Sequence, residues 1–134
     1  MFNIFDISGS SMAAQSVRMN VTASNIANSE SMGRTPDAAY HARSPIFQTV
    51  LDQNSSSGIG GVRVMGVVEN QQPGPRRFEP GNPMADGEGY VYLSNVDVLT
   101  EMVNMMSASR TYQNSIEVLN TSKELMIRTL SIGQ

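Results

Sequence analysis

The strongest constraint in the sequence is a long stretch free of helix breakers. No proline or glycine falls between Asn95 and Ile132, and large side chains recur through it every seven residues. Val98, Met105, Tyr112, Leu119 and Met126 form one row; four positions on, Met102, Ser109, Ile116, Lys123 and Leu130 form a second. Two such rows make the a/d seam of a coiled coil. The spacing predicts a helix over 95–131, capped by Ser94 or Asn95 and closed by Gly133. Asp97 and Glu101 suit the positive end of its dipole, and Glu124 and Arg128 are placed for an i,i+4 ion pair. Such a helix runs roughly 55 Å at 1.5 Å per residue. A compact globule of 134 residues cannot cover that length. Leu99, Val103 and Met106 add a further apolar row beside the seam. One partner helix covers one stripe, so the extra row asks for another.

The N-terminal segment has the same period. Phe5, Met12, Met19 and Ile26 lie seven apart, with Gly9, Ser16 and Ala23 four positions on. Large residues alternate with small ones, which lets another helix approach closely. A helix is therefore predicted over residues 7–29, lying against the C-terminal one. From Ile7 to Ser29 the only ionised side chain is Arg18. A helix with no charged face resists burial on no side, and its Ser, Thr, Asn and Gln side chains can bond wherever a partner is offered.

Between the helices the material changes. All six prolines and most of the eleven glycines fall in residues 33–89. "PIFQTVL", "VRVMGVVEN" (with an irregularity at Gly66) and "GYVYL" read as short strands, and "NSSSGIGG" as a turn. "NQQPGPRRFEPGNPMADGEG" reads as a long connection with no core-forming pattern. The predicted fold is thus mainly α with a small β-containing middle segment. Residues 1–30 and 94–134 form one discontinuous antiparallel coiled-coil domain, and residues 31–93 an irregular, hairpin-bearing Pro/Gly-rich arm.

Chemistry finds few carriers here. The chain has no cysteine and one histidine, His41, with no carboxylate cluster beside it in sequence. A metal set or catalytic triad is not formed from these, and His41 reads as a surface or packing residue. Asp86 and Glu88 read as solvated turn residues, and Arg76-Arg77 as a solvated turn. A net charge of -3 with dispersed basic residues does not make the basic stripe of a nucleic-acid binder. "GIGGVRVMG" lacks the third glycine of a dinucleotide loop. "MFNIFDISGS" lacks the basic and apolar regions of a cleaved leader, and no segment approaches the roughly 20 apolar residues of a membrane span. Accordingly no enzyme activity, catalytic residue, metal, cofactor or small-molecule substrate is expected.

"ASNIANSES" (23–31) resembles the N-terminal signature of the axial proteins of the bacterial flagellum: rod, hook and hook-associated proteins. "EMVNMMSASRTYQNSIEVLNTSKELMIRTLSIGQ" (101–134) is similar to their C-terminal signature. "YHAR" (40–43), "FEPGNPMADGEGYV" (78–91) and "SNVDVLTEMV" (94–103) extend the likeness to the proximal-rod branch of that family, as does the short length. The resemblance implies a structural subunit of the periplasmic rod, the drive shaft of the basal body. It further implies assembly with its own copies, other rod proteins and the ring and export-gate junction, and export by the flagellar type III apparatus without a cleaved leader. It places subunit contacts at Asn25, Ile26, Asn28, Met102, Met105, Arg110, Tyr112, Leu119 and Met126. Packing within the chain competes at Met105, Leu119 and Met126, whereas Asn25, Asn28 and Arg110 stand out as contacts between subunits. The alternatives are a different short rod paralogue and a secreted coiled-coil adaptor that closes at a fixed oligomer size.

Overall fold

Two helices flank a short β-rich middle in the structure, a computed structural model that describes residues 2–51 and 60–133. In chain order the elements are α1 (Phe2–Ala27), β1 (Met32–Gly33), β2 (Arg43–Thr49), β3 (Val62–Glu69), β4 (Arg76–Phe78), β5 (Tyr90–Leu93) and α2 (Val98–Ile132). α1 starts earlier than the expected 7–29, since nothing in "FNIFDIS" breaks a helix. It ends at Ala27, where side chains take over the last carbonyls: Asn28 Nδ2 donates to Ser24 O at 2.8 Å and Ser29 Oγ to Ile26 O at 2.8 Å. α2 begins three residues later than expected because Asp97, not Ser94 or Asn95, is the cap. Its carboxylate accepts from Leu99 N at 3.2 Å and from the Thr100 hydroxyl at 2.7 Å. At the far end Gly133 N donates to Thr129 O. Arg128 and Glu124 form the anticipated pair.

The helices lie side by side and run in opposite directions. Ser11 Oγ is 3.2 Å from Ser115 Oγ, and Arg18 donates to Asn104 Oδ1 at 3.1 Å. The covered strip of α2 differs from the expected seam in one of its two rows. Met105, Tyr112, Leu119 and Met126 are half-buried as expected. The companion row is Glu101, Ala108, Ser115 and Ser122, whereas Met102, Ile116, Lys123 and Leu130 are exposed. The cause is size: small residues on α2, with Ser115 set against Ser11, let the axes come close enough for hydroxyl contact. A seam with Ile116 and Leu130 would hold them apart. With a common 1.5 Å rise, the Ser11–Ser115 register sets the start of α1 opposite roughly residue 124 of α2. The last two turns of α2 therefore overhang, and Leu125, Ile127, Leu130 and Ile132 are exposed.

β2 and β3 pair antiparallel from Arg43↔Glu69 to Thr49↔Val62, with a bulge where Met65 is skipped beside the expected irregularity at Gly66. This ribbon lies along α1. Asn25 binds its base at Arg43, and Ser10 Oγ accepts from Val62 N at 3.1 Å near the other end. The lengths agree, since fifteen helical steps and six strand steps both come to about 20 Å. The second sheet has the order β1-β5-β4. Its β4 contains Arg76 and Arg77, which are strand residues rather than a solvated turn. Arg76 stacks 4.5 Å from the Tyr90 ring centroid, and Arg77 pairs with Glu79 at 2.7 Å. Neither β1 nor β4 has a sequence pattern long enough to announce it. Of "NSSSGIGG", residues 54–59 lie outside the described residues.

Buried apolar side chains among the described residues are Ala14, Ala39, Val91 and Ala108, and they are matched by buried Ser8, Thr22, Asn25 and Ser94. Such a core relies on backbone fit. A Cβ on Gly74 would meet Leu93 O at 2.2 Å and Ser94 O at 2.8 Å, whereas Gly81 has open space. Gly74→Ala should therefore lower the urea midpoint of the middle segment, followed by tyrosine fluorescence, and Gly81→Ala should leave it within about 0.5 kcal/mol of the parent. Equal behaviour of the two variants would contradict the close approach of Gly74 to the end of β5.

Candidate assembly surface

At the C-terminal end of α1 the neutral residues of "ASNIANSES" are already engaged. Asn25 is fully buried. Its Oδ1 accepts from Tyr40 OH at 2.9 Å and Arg43 N at 3.0 Å, and its Nδ2 donates to Arg43 O at 2.8 Å. A carboxamide carries the donor and acceptor of a peptide group, so Asn25 pairs with Arg43 as a neighbouring strand would. Ser24 Oγ lies 3.3 Å from Tyr40 OH, and Ser31 Oγ donates to Asn28 O at 2.8 Å. Asn25 thus leaves the set of contacts expected between subunits, because its hydrogen-bonding groups and its surface are consumed inside the protomer. Asn28 and Ile26 remain half-buried.

A second amide closes the base of the ribbon. Asn95 Oδ1 accepts from Ala42 N at 2.6 Å, while its Nδ2 donates to Asn70 O at 3.0 Å and Gln72 O at 2.6 Å. His41 sits beside it, with Nδ1 2.8 Å from Asn70 O and Nε2 3.0 Å from Pro36 O. Both ring nitrogens face carbonyls, and only the imidazolium has two N–H groups to offer them. The Asn70 carbonyl foremost, then that of Pro36, raises the His41 pKa above its ordinary value. Asp86 is likewise structural rather than a solvated turn residue. Its carboxylate accepts from Tyr90 N, Glu88 N and the Tyr92 hydroxyl, and these bonds, that from Tyr90 first, lower its pKa. Sequence reasoning gave Asn95 as a helix cap and Asp86 as a solvated turn residue; it missed that their side chains bond across turns that no periodicity marks.

The outer surface is of another kind. α1 shows solvent a strip of small residues, Gly9, Ala13, Asn20, Ala23 and Ala27. The Cβ position of Gly9 meets nothing within 4 Å and Ala23 is exposed, so the anticipated small stripe is not where α2 lies. On the first turns of α2, Leu99 (72% exposed), Met102, Val103 and Met106 (66%) form a continuous apolar strip, with exposed Arg110 at its end. The ribbon adds exposed Ile46, Met65, Val67 and Val68. Scattered apolar exposure is ordinary, but strips of this kind mark interaction surfaces. A cleft of about 380 Å³ between α1, α2 and β2 is lined by Arg18, Thr22, Arg43, Pro45, Phe47 and Glu101. It is shallow and carries no nucleophile–base pair. Among the described residues no group of three His, Asp or Glu is placed to hold a metal ion, and no helix is long and apolar enough to cross a membrane.

Comparison with known proteins bears on what this surface meets. Residues 5–30 match the family described as "Flagella basal body rod protein". Residues 88–132 match "Flagellar basal body rod FlgEFG protein C-terminal". The chain is 52% identical over 134 residues to the flagellar basal-body rod protein FlgC of Salmonella typhimurium, covering 100% of this chain and 98% of that one. It is 50% identical to that of Escherichia coli O157:H7 over the same shares. The protein of the same description from Buchnera aphidicola subsp. Acyrthosiphon pisum is 42% identical over 136 residues, with 100% and 98% covered.

Two measurements check the internal part of this geometry. Asn25→Ala removes the acceptor of Arg43 N–H, the donor to Arg43 O and the shorter bond of the Tyr40 hydroxyl, and should cost about 1–3 kcal/mol in urea unfolding; a loss under about 0.5 kcal/mol would contradict the strand-like pairing. The His41 pKa is raised on folding, so its stabilising contribution is complete below about 6.5 and is lost as pH rises through the folded value. An NMR titration of this single histidine should give a midpoint above about 6.5, with faster exchange of the Asn70 amide beyond it. A midpoint below that value would remove the two-carbonyl bridge.

Proposed function

The chain belongs to the flagellar basal-body rod protein family, and we propose that it is a structural subunit of the proximal rod, which transmits torque across the periplasm and lines the export channel. The observation that carries this reading is the apolar strip Leu99–Met102–Val103–Met106 on a helix whose other face is already occupied by α1. As a rod protein, the subunit assembles with other rod and basal-body components. In the proposed arrangement α1 and α2 act as one discontinuous coiled-coil domain, residues 1–30 with 94–134, and residues 31–93 pack outward against neighbours. Met102 and Arg110 meet adjacent subunits directly. Ile26, Asn28, Met105, Tyr112, Leu119 and Met126 are half-buried in the protomer and complete their burial on assembly. The contacts are heterologous, so repetition gives a helical array rather than a closed ring of two. The partners are further copies, other rod proteins and the ring and export-gate junction. Delivery is by the flagellar type III apparatus, without a cleaved leader.

The same physics accounts for a labile monomer. A 35-residue helix whose only fully buried residue is Ala108 draws little support from its own chain. At micromolar concentration the isolated protein should show far-UV helicity well below that of two complete helices, with the deficit in the overhanging turns of α2. A cooperatively melting, fully helical monomer would count against the reading. Ala23→Leu adds bulk on the exposed face of α1, so it should leave the protomer's spectrum unchanged while impairing rod formation by overpacking. Normal motility in a strain carrying it would show that this face stays open in the rod.

A further inference from the structure

The described methionines on or beside the helix pair fall into two environments. Met12, Met19, Met105 and Met126 are half-buried on the helix pair, and Met32 Sδ lies 3.4 Å from Asn82 Nδ2. Met102 and Met106 are one turn apart on the outer strip of α2, 49% and 66% exposed, beside Leu99 and Val103. Thioether reactivity toward oxidants follows exposure. Leucine has nearly the same volume as methionine and would serve contact equally well. What sulfur adds at these two positions is chemistry. Resting on the reading that this strip is covered in the rod, we propose that Met102 and Met106 are an oxidation site that controls entry of the free subunit into the assembly.

The reaction is oxygen transfer from a hydroperoxide. The thioether sulfur attacks the peroxide, the O–O bond breaks and one oxygen becomes S=O. The other leaves as water when hydrogen peroxide is the donor. Sulfur is oxidised by two electrons and the peroxide reduced by two. In the free protomer the sulfoxide oxygens point into water and disturb nothing. Pressed against an apolar neighbour they lose that water with no donor on Leu99 or Val103 to replace it, which opposes burial. The assembled strip is shielded in turn, so exposure to oxidant matters before incorporation. Sulfoxides are reducible, which makes the block reversible.

The test treats the full-length chain with dilute hydrogen peroxide, maps sulfoxides by mass spectrometry, and then mixes it with the other rod proteins. Expected is sulfoxide at Met102 and Met106 several-fold faster than at Met12, Met19 and Met105, with unchanged circular dichroism. Sedimenting particles should be lost for the treated parent and regained once its sulfoxides are reduced with methionine sulfoxide reductases; after partial oxidation, chains left in the supernatant should carry sulfoxide at Met102 and Met106 and sedimented chains should not. Met84, exposed and in none of the apolar strips, should carry sulfoxide equally in both fractions and serves as the internal control. Uniform rates along the chain, or a treated parent that assembles like the untreated one, would overturn the proposal. An untreated chain that never joins particles defeats the structural reading and the gating with it; that failure is distinguishable because it needs no oxidant.

Discussion

The side chain of Asn25 fixes where everything else can lie. By presenting a peptide-like donor and acceptor to Arg43, it ends α1 and starts β2 at one point. From there the ribbon has one course that keeps its backbone near α1, and Ser10 receives it at the far end. α1 is then held between the ribbon and α2, which explains how a helix with one internal cation and few large side chains remains ordered. The Asn25 amide is polar and fully buried, so it specifies geometry as well as stability, since a misplaced amide would leave its own donor and acceptor unmatched.

That enclosure is unequal between the two helices. α1 spans 26 residues and α2 spans 35, and α1 covers only one strip of its longer partner. The strip it covers is the one that permits close approach, lined by Ala108 and Ser115, and not the most apolar one. The leucine, valine and methionines left outside are thus a consequence of packing small against small. The protomer thus buries small residues between its helices and leaves the large apolar ones of the first turns of α2 exposed.

The legible and illegible parts of the fold separate along physical lines. Helices long enough to repeat their period are plain in the sequence, as are β-branched runs such as "VRVMGVVEN". The two-residue β1 and three-residue β4 are too short to carry a pattern, and they exist because β5 lies between them. Asn95 looked like a helix cap, but three backbone partners from the ribbon's base outcompete that role and leave it to Asp97. The "ASNIANSES" stretch was legible as a family signature but not as the site of a buried internal junction at Asn25. Its neutrality serves helix termination and the Asn25 junction within the chain.

The sequence by itself determined the two helices, the β character of the middle, the family, and the excess of apolar surface on α2, because periodicity and composition are local and additive. Tertiary structure alone decided which row of α2 meets α1, that the ribbon lies along α1, and that Asn25, His41 and Asn95 are internal fasteners. Each of those outcomes turns on the distance between groups far apart in the chain, and a one-dimensional pattern does not contain that distance.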